Sequence, residues 1–523
     1  MSRTRNTAGR ITFVGGGPGD PGLLSRRALE ALATADQVVH DRGTPEPLLA
    51  AVRAELKEDA EFTPAEGAPG EVAKALVATA RSGRNAVHLV AGDPFGRESV
   101  VKEVLAVADA SVRFEVVPGV DRAAGVATYA GVPLTGSRTT VDVDDLSAVD
   151  FEALATAAAR GSVSIAVDAG DLAELRDGLL AAGVPSDREV AVTGDGTGET
   201  QYTTVSTVES FVAAALGFTG RVVLSIGAGV AQREQLSWWE SRPLYGWKVL
   251  VPRTKEQAGA MSKLLRGYGA IPTEVPTIAV EPPRTPAQME RAVKGLVDGR
   301  YQWVIFTSAN AVKAVWEKFQ EFGLDARAFS GVKIGCIGEA TADRVRAFGI
   351  TPEMIPQGEQ SSEGMLKEFP PYDDVLDPVN RILLPRADIA TETLSAGLTE
   401  RGWEVDDVTA YRTVRAAPPP AETREMIKTG GFDAVCFTSA STVRNLVGIA
   451  GKPHARTLVA CIGPKTAETA QEFGLRVDVL ASEPRVTVLV DELAAHAAKL
   501  RAEGALPPPR KAKRRRSTKT SSS

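Results

Sequence analysis

The second half of the chain repeats itself, and that repetition constrains the fold more than any other feature. Lys248-Val-Leu-Val-Pro-Arg253 returns as Arg381-Ile-Leu-Leu-Pro-Arg386, Val304-Ile-Phe-Thr-Ser-Ala-Asn-Ala-Val312 as Val435-Cys-Phe-Thr-Ser-Ala-Ser-Thr-Val443, and Ile334-Gly-Cys-Ile-Gly338 as Val459-Ala-Cys-Ile-Gly463. Three blocks in the same order define a duplicated unit. Each is a short β-branched run that ends in small or hydroxyl residues and leads into a helical pattern, as expected of parallel strands buried on both faces. The fold class that follows is α/β, with an internally duplicated, bilobed parallel-sheet region.

In such sheets ligands gather at the carboxyl ends of the strands. There the following helix offers unpaired N–H groups and the positive end of its dipole. Thr307-Ser308 and Thr438-Ser439 stand at those junctions. A hydroxyl at that point can also do no more than cap its helix, but its presence in both copies favours a ligand role. Between the blocks, 275–280 and 408–414 read as strands followed by prolines, and look like two linkers between lobes. The copies align with Ile278 opposite Tyr411. The architecture therefore accepts an aliphatic residue where the second copy has a phenol, which leaves Tyr411 open to chemistry, although tyrosine also packs well in strands.

The first half opens with Ile11-Thr-Phe-Val-Gly-Gly-Gly-Pro-Gly-Asp-Pro-Gly-Leu-Leu24, a strand running into a glycine-rich turn and a helix. Its glycine spacing is not that of the dinucleotide fingerprint. Val87-His-Leu-Val-Ala-Gly-Asp-Pro-Phe95 and Phe114-Glu-Val-Val-Pro-Gly119 are further strands ending in turns. After about Thr135 the sequence becomes rich in Asp and Ala, with strands near 162–167, 189–192 and 221–226. Two lobes with a ligand cleft between them are expected here.

At 523 residues the chain exceeds what one hydrophobic core supports. No apolar run is long enough for a bilayer, and 1–10 is polar, so no membrane association and a cytoplasmic location are expected. Cys336, Cys436 and Cys461 each sit alone in apolar runs and read as buried, reduced thiols. The four histidines lack ligand spacing, so no metal is expected. Net charge is −6 even though 510–523 carries seven basic and no acidic residues. The body is thus acidic, which argues against nucleic acid as the main partner. The segment 498–523, with its Pro507-Pro508-Pro509 run, is read as a disordered basic tail.

The segment from about Ile11 to Trp239 resembles the uroporphyrinogen III C-methyltransferase family of tetrapyrrole methylases. The resemblance rests on the Val-Gly-Gly-Gly-Pro-Gly-Asp-Pro turn, Asp41-Arg42, Gly92-Asp93-Pro94-Phe95, Val117-Pro118-Gly119 and Tyr129-Ala-Gly-Val-Pro-Leu-Thr135 in that order. From about Gly246 to Ala495 the chain resembles uroporphyrinogen III synthase, on the duplicated Phe-Thr-Ser and Ile-Gly blocks. The resemblance implies domains at 1–243 and 244–497, the latter with one lobe from 246–279 and 413–497 and the other from 282–411. It implies conversion of hydroxymethylbilane to uroporphyrinogen III by a synthase half that needs no cofactor. In that reaction the terminal hydroxyl leaves, and a spiro rearrangement inverts the last pyrrole ring before closure. Positioning of one conformer should dominate.

Arg253 and Arg386, at strand ends, are the candidate cations for the eight carboxylates of that substrate. Thr307, Ser308, Asn310, Gly338, Thr341, Thr438, Ser439, Gly463 and Thr466 are the candidate polar contacts. Tyr411 matches the family's functional tyrosine, with a role in hydrogen bonding or proton donation to the departing hydroxyl. For the first half the family implies S-adenosylmethionine between the lobes, held by Pro18, Gly92, Asp93 and Pro94, with Asp41 facing the tetrapyrrole, precorrin-2 as product, and a homodimer through this half.

The sequence departs from that pattern at Ala91, at the shortened Gly96-Arg97-Glu98-Ser99 loop, at Phe62-Thr63-Pro64 and at Asp121-Arg122. These departures raise an alternative, a monofunctional synthase whose first half is a non-catalytic binding or channelling module.

Overall fold

The computed structural model describes residues 9–253 and 258–505. Among them no helix is long and apolar enough to cross a membrane. The chain divides into two compact units, one built on Met1–Lys248 and the other on Val249–Lys263 and Pro272–Leu493.

The first unit holds two sheets. One comprises β1 (Ile11–Gly15), β2 (Gln37–His40), β3 (Glu61–Pro64), β4 (Ala86–Val90) and β5 (Phe114–Val117), in the order β3-β2-β4-β1-β5. All its pairings are parallel. Alternate residues of β1 feed opposite faces, Ile11 and Phe13 packing with Leu76 and Val107, and Val14 with Leu32, Leu48 and Leu89. A strand covered on both sides reads as a near-continuous apolar run, and all five residues of β1 are buried, Thr12 among them.

The second sheet comprises β6 (Ser137–Asp142), β7 (Gly161–Asp168), β8 (Glu189–Gly194), β9 (Tyr202–Thr207) and β10 (Arg221–Ile226), in the order β6-β7-β10-β8-β9. Only β6 and β7 run parallel; the other pairings are antiparallel. The two lobes expected from sequence are thus present, the second with a mixed sheet.

The second unit contains β11 (Lys248–Arg253), β12 (Ile271–Pro276), β13 (Ile278–Glu281), β14 (Trp303–Phe306), β15 (Lys333–Cys336), β16 (Arg381–Ala387), β17 (Glu404–Arg415), β18 (Ala434–Phe437), β19 (Leu458–Cys461) and β20 (Val479–Leu480). The sheets are β12-β11-β18-β19-β20 and β13-β17-β16-β14-β15. The repeated blocks occupy equivalent strands, β11 with β16, β14 with β18, and β15 with β19. Each sheet therefore takes its leading strand from one copy and its Phe-Thr-Ser and Ile-Gly strands from the other. Cys336, Cys436 and Cys461 lie in these strands as buried free thiols, and burial pushes each up to about 12.

Two boundaries differ from expectation. Residues 278–279 and 413–415, assigned to the first lobe, belong to the sheet of the second, because the two linkers satisfy their backbone groups by pairing antiparallel, Ile278 with Arg415 and Val280 with Thr413. The last helix, Val486–Ala502, continues past 497, so 498–502 is helix rather than tail. Residues 506–523 lie outside the described residues.

The turns after β1, β4 and β5 meet as bare backbone. A Cβ at Gly119 would stand 2.4 Å from the Gly92 carbonyl oxygen, and one at Gly15 would stand 2.4 Å from the Gly119 nitrogen. Gly119→Ala is therefore expected to cost about 3 kcal/mol locally. Native-state hydrogen exchange of the Ile11–Gly15 amides should accelerate about 100-fold, and unchanged protection would show that the turn relaxes freely.

Candidate functional sites

The chemistry-bearing turns of the first unit leave the carboxyl ends of adjacent parallel strands. Gly17 and Gly92 exchange backbone hydrogen bonds at 3.2 and 2.9 Å, which joins the Pro18 turn to the Gly92-Asp93-Pro94 turn. Gly92 has φ +84°, a conformation that favours glycine. Asp93 ties in the third turn, since its Oδ2 accepts from the Gly119 N–H and its Oδ1 from the Phe95 N–H, both at 3.0 Å. Pro18, Gly92, Asp93 and Pro94, the residues for which the resemblance implies a shared ligand, thus stand on adjoining turns.

Asp41 follows β2 on the same edge, but neither of its oxygens is free. Its Oδ2 accepts from the Ala91 N–H at 3.0 Å and from Arg97 Nη1 at 2.5 Å, while Oδ1 lies 3.2 Å from His88 Nε2. The other ring nitrogen of His88 is 2.8 Å from Glu103 Oε2. Burial alone would lower the His88 pKa, yet hydrogen bonds and charge from Asp41 and Glu103 outweigh it and raise the imidazole to about 9. Burial likewise pushes Asp41 up, but the His88 hydrogen bond and the His88 and Arg97 charges hold it below the usual carboxylate range. Asp41 is therefore a neutralised partner in an ion cluster.

The cluster extends through the positions where the sequence departs from the methylase pattern. Arg97 Nη2 donates to Asp144 at 2.7 Å, and Ser99 Oγ donates to the same carboxylate at 2.9 Å. Arg122 lies 3.4 Å from Asp142, whose second oxygen is bonded by Arg221. Sequence reasoning missed His88, Glu103, Asp142 and Asp144, because the partners are separated by 15 to 79 residues.

A strained loop marks the same region. Asp195 and Thr197 have φ +47° and +67° without being glycine, and such a conformation in a β-branched residue persists only where its surroundings enforce it. Thr197 Oγ1 accepts from the Asp20 N–H at 3.0 Å, and the Tyr129 hydroxyl donates to Asp20 at 2.8 Å. This loop had no signal in the sequence reading.

In the second unit, Thr307, Ser308 and Asn310 lie at the end of β14 and Thr438 and Ser439 at the end of β18, all half-buried. Ser308 caps the helix Ala309–Glu321, its Oγ accepting from the Ala311 N–H at 3.2 Å, and the same Oγ is 2.9 Å from the Tyr411 hydroxyl. The phenol, 8% exposed, is thus joined to a hydroxyl from the other copy of the repeat. Ser439 caps the helix Ala440–Ala450 in a reciprocal capping box with Thr442. Gly338 and Gly463 precede the helices Glu339–Arg346 and Pro464–Glu472. Thr341 and Thr466 are buried at 6% and 4% exposure in the first turns of those helices; the Glu339 N–H donates to Gln360 Oε1 at 3.4 Å, and Pro464 has no N–H to offer.

The two candidate arginines fare differently. Arg386 is bound through Nε to Asp407 at 2.6 Å, through Nη2 to the same carboxylate, and through Nη1 to the Thr391 carbonyl, so it is already paired. Arg253 ends β11, and its side chain lies outside the described residues.

These features define a two-part α/β protein whose candidate ligand turns sit at the carboxyl ends of parallel strands. Residues 259–491 match the family described as Uroporphyrinogen-III synthase HemD, and residues 10–212 match Tetrapyrrole (Corrin/Porphyrin) Methylases. The chain is 30% identical over 255 residues to the Uroporphyrinogen-III synthase of Synechococcus elongatus, covering 92% of that protein with 46% of itself. It belongs to the uroporphyrinogen III synthase family and carries a tetrapyrrole methylase domain ahead of the synthase domain.

The match to one relative runs through both halves of the chain. The Porphyrin biosynthesis protein HemD of Ruminiclostridium josui is 28% identical over 515 residues, 93% of this chain and 97% of that one. Siroheme synthase 1 of Klebsiella pneumoniae is 34% identical over 257 residues, 46% of this chain, which spans about half (53%) of that protein.

The raised pKa of His88 carries a stability consequence. A group bound more tightly to its proton in the folded state stabilises fully below its ordinary value of 6.5, and the contribution is lost as pH rises through about 9. His88→Gln should cost about 3 kcal/mol at pH 7, the scale of breaking a buried pair. Urea titrations between pH 6 and 10 should show the wild type losing that stability and the variant lacking it. Parallel pH curves for the two proteins would remove the charge from His88.

Proposed function

We propose that this chain makes uroporphyrinogen III from hydroxymethylbilane in its second unit and methylates that product in its first. The observation that carries the synthase reading is the Tyr411–Ser308 contact, where a phenol on a strand end meets a helix-capping hydroxyl at 2.9 Å. Ser308 is fixed by the Ala311 N–H, and in turn it fixes the phenol. Tyr411 donates to the terminal hydroxyl of the bilane as it departs as water; the terminal carbon then bonds the substituted α-carbon of the last ring, the older methylene–ring bond breaks and re-forms at that ring's free α-carbon, and the proton this carbon loses returns to the phenolate.

The helix N-termini behind Ser308, Gly338, Ser439 and Gly463 hold side-chain carboxylates, so that one conformer persists long enough for the last ring to invert. Arg386 joins them by exchanging Asp407 for a substrate carboxylate, and Arg253 supplies a cation at the equivalent strand of the other copy.

In the first unit, S-adenosylmethionine supplies the methyl group. The residues suit that ligand because the Gly15, Gly92 and Gly119 turns meet with no room for a Cβ at Gly15 or Gly119, leaving main-chain atoms to form the cradle. Pro18, Gly92, Asp93 and Pro94 hold the donor. Asp41, balanced by His88 and Arg97, sets the charge beside the accepting pyrrole carbon.

The test is a coupled assay on hydroxymethylbilane with and without S-adenosylmethionine, reading product isomer and methyl count separately. The inverted isomer is expected in both cases, and precorrin-2 only with the donor. Only uninverted product would overturn the synthase reading, and an unmethylated product would overturn the methyltransferase reading. Tyr411→Phe should slow formation of the inverted isomer about 100-fold, and full activity in that variant would take Tyr411 out of the mechanism.

A further inference from the structure

We propose that Arg122 is a carboxylate-binding residue of the first unit, taking the carboxylate of a ligand held at the Gly92 turn. The proposal deepens the methyltransferase reading and rests on it. Arg122 opens the helix Arg122–Tyr129, and its side chain is buried at 12% exposure. Among the described residues its one ion pair is the 3.4 Å contact with Asp142 Oδ2, and no protein hydrogen bond engages its guanidinium. The other two arginines of the cluster each make several hydrogen bonds through their terminal nitrogens. Arg221 bonds Asp142 and also donates to the Val143 and Ala166 carbonyls at 2.7 and 3.1 Å, while Arg97 bridges Asp41 and Asp144.

A buried guanidinium carries five donors in a fixed fork and cannot shed its charge. Left with a single shared and loose contact, it lacks the pairing that buried charges otherwise have. Burial lowers the Arg122 pKa, with Asp142 opposing and the Arg221 and Arg97 charges adding to the fall. The nearby carboxylates are already committed: Asp142 to Arg221, Asp41 to Arg97 and His88, and Asp121 to the Ala124 N–H as the helix cap at 2.7 Å.

The group borders the glycine turn, since a Cβ at Gly92 would stand 3.7 Å from Arg122 Cβ and 3.6 Å from Asp142 Oδ2. The N-terminus of the eight-residue helix adds a dipole of the same sign. A planar carboxylate is the ligand group that fits a fork in this setting. Two sources are chemically available, the amino-acid carboxylate of the methyl donor and an acetate or propionate of the tetrapyrrole.

The full-length wild type, Arg122→Met and Arg122→Lys are compared by calorimetric titration with S-adenosylhomocysteine and with 5′-methylthioadenosine, which keeps the nucleoside and thioether but lacks the carboxylate. Uroporphyrin III binding is followed by fluorescence. Arg122→Met is expected to weaken a carboxylate ligand about 10-fold or more, with Arg122→Lys recovering part, and methylthioadenosine held within about twofold. Weakened S-adenosylhomocysteine assigns the donor carboxylate, and weakened uroporphyrin assigns the tetrapyrrole. Unchanged affinity for both, or a matching loss for methylthioadenosine that marks a purely structural role, overturns the proposal. If the wild type binds neither thioether, the methyltransferase reading fails and this inference falls with it, an outcome distinct from a wild type that binds and a variant that binds equally.

Discussion

Parallel strands cannot be joined by a tight turn, and most of this molecule's functional geometry depends on that constraint. Each return to the same sheet needs a crossover, so successive strands present their carboxyl ends along one edge. In the first sheet this delivers Pro18, Asp41, the Gly92-Asp93-Pro94 turn and Gly119 to neighbouring positions although they span about a hundred residues of sequence. In the second unit the same rule places Thr307-Ser308, Gly338 and Arg386 along one sheet and Thr438-Ser439 and Gly463 along the other. The buried aliphatic strands supply the stability on which these turns are mounted.

Charge is managed by internal pairing. A protein with net charge −6 that handles ligands carrying many carboxylates needs local cations, yet a bare buried arginine is costly. Arg97 and Arg386 meet that cost by carrying aspartates, Asp41 with Asp144 and Asp407 respectively. A paired arginine is held in one geometry before a ligand arrives, so an incoming carboxylate exchanges partners instead of ordering a free side chain. The structure therefore changes the reading of the sequence candidates: Arg386 is already paired with Asp407, and Asp41 with His88 and Arg97.

What could be read from the sequence was what lies in contiguous residues. The duplication, the strand-turn-helix junctions and the glycine turns are local patterns, and the structure places them on equivalent strands and edges. The departures at Gly96–Ser99 and Asp121-Arg122 were visible as departures, but their partners were not. Asp144 is 47 residues from Arg97 and Asp142 is 20 from Arg122, and no periodicity connects them. The strain at Thr197 was equally hidden, because threonine gives no hint of a left-handed backbone. The swapped assignment of 278–279 and 413–415 arose because a linker's hydrogen-bond partner is a tertiary fact.

The duplicated half shows how a repeat can acquire chemistry in one place while keeping its scaffold in two. Capping and ligand roles for Ser308 and Ser439 were posed as alternatives, yet both residues cap, so capping cannot distinguish them. The neighbours distinguish them. Ser439 closes a full capping box with Thr442 and meets Ser441 at 2.9 Å, so its hydroxyl is used within its own helix start. Both hydroxyls accept the N–H three residues on, but in the first copy Asn310 stands where Ser441 stands in the second, and the Ser308 hydroxyl meets Tyr411 instead. Tyr411 in turn aligns with Ile278, which has no hydroxyl to offer. The sheets mix the copies, so Ser308 from one meets Tyr411 from the other, and the pair exists once per molecule. A single polar couple on a doubled frame fits a reaction in which a large substrate is gripped at many points but only one hydroxyl must leave.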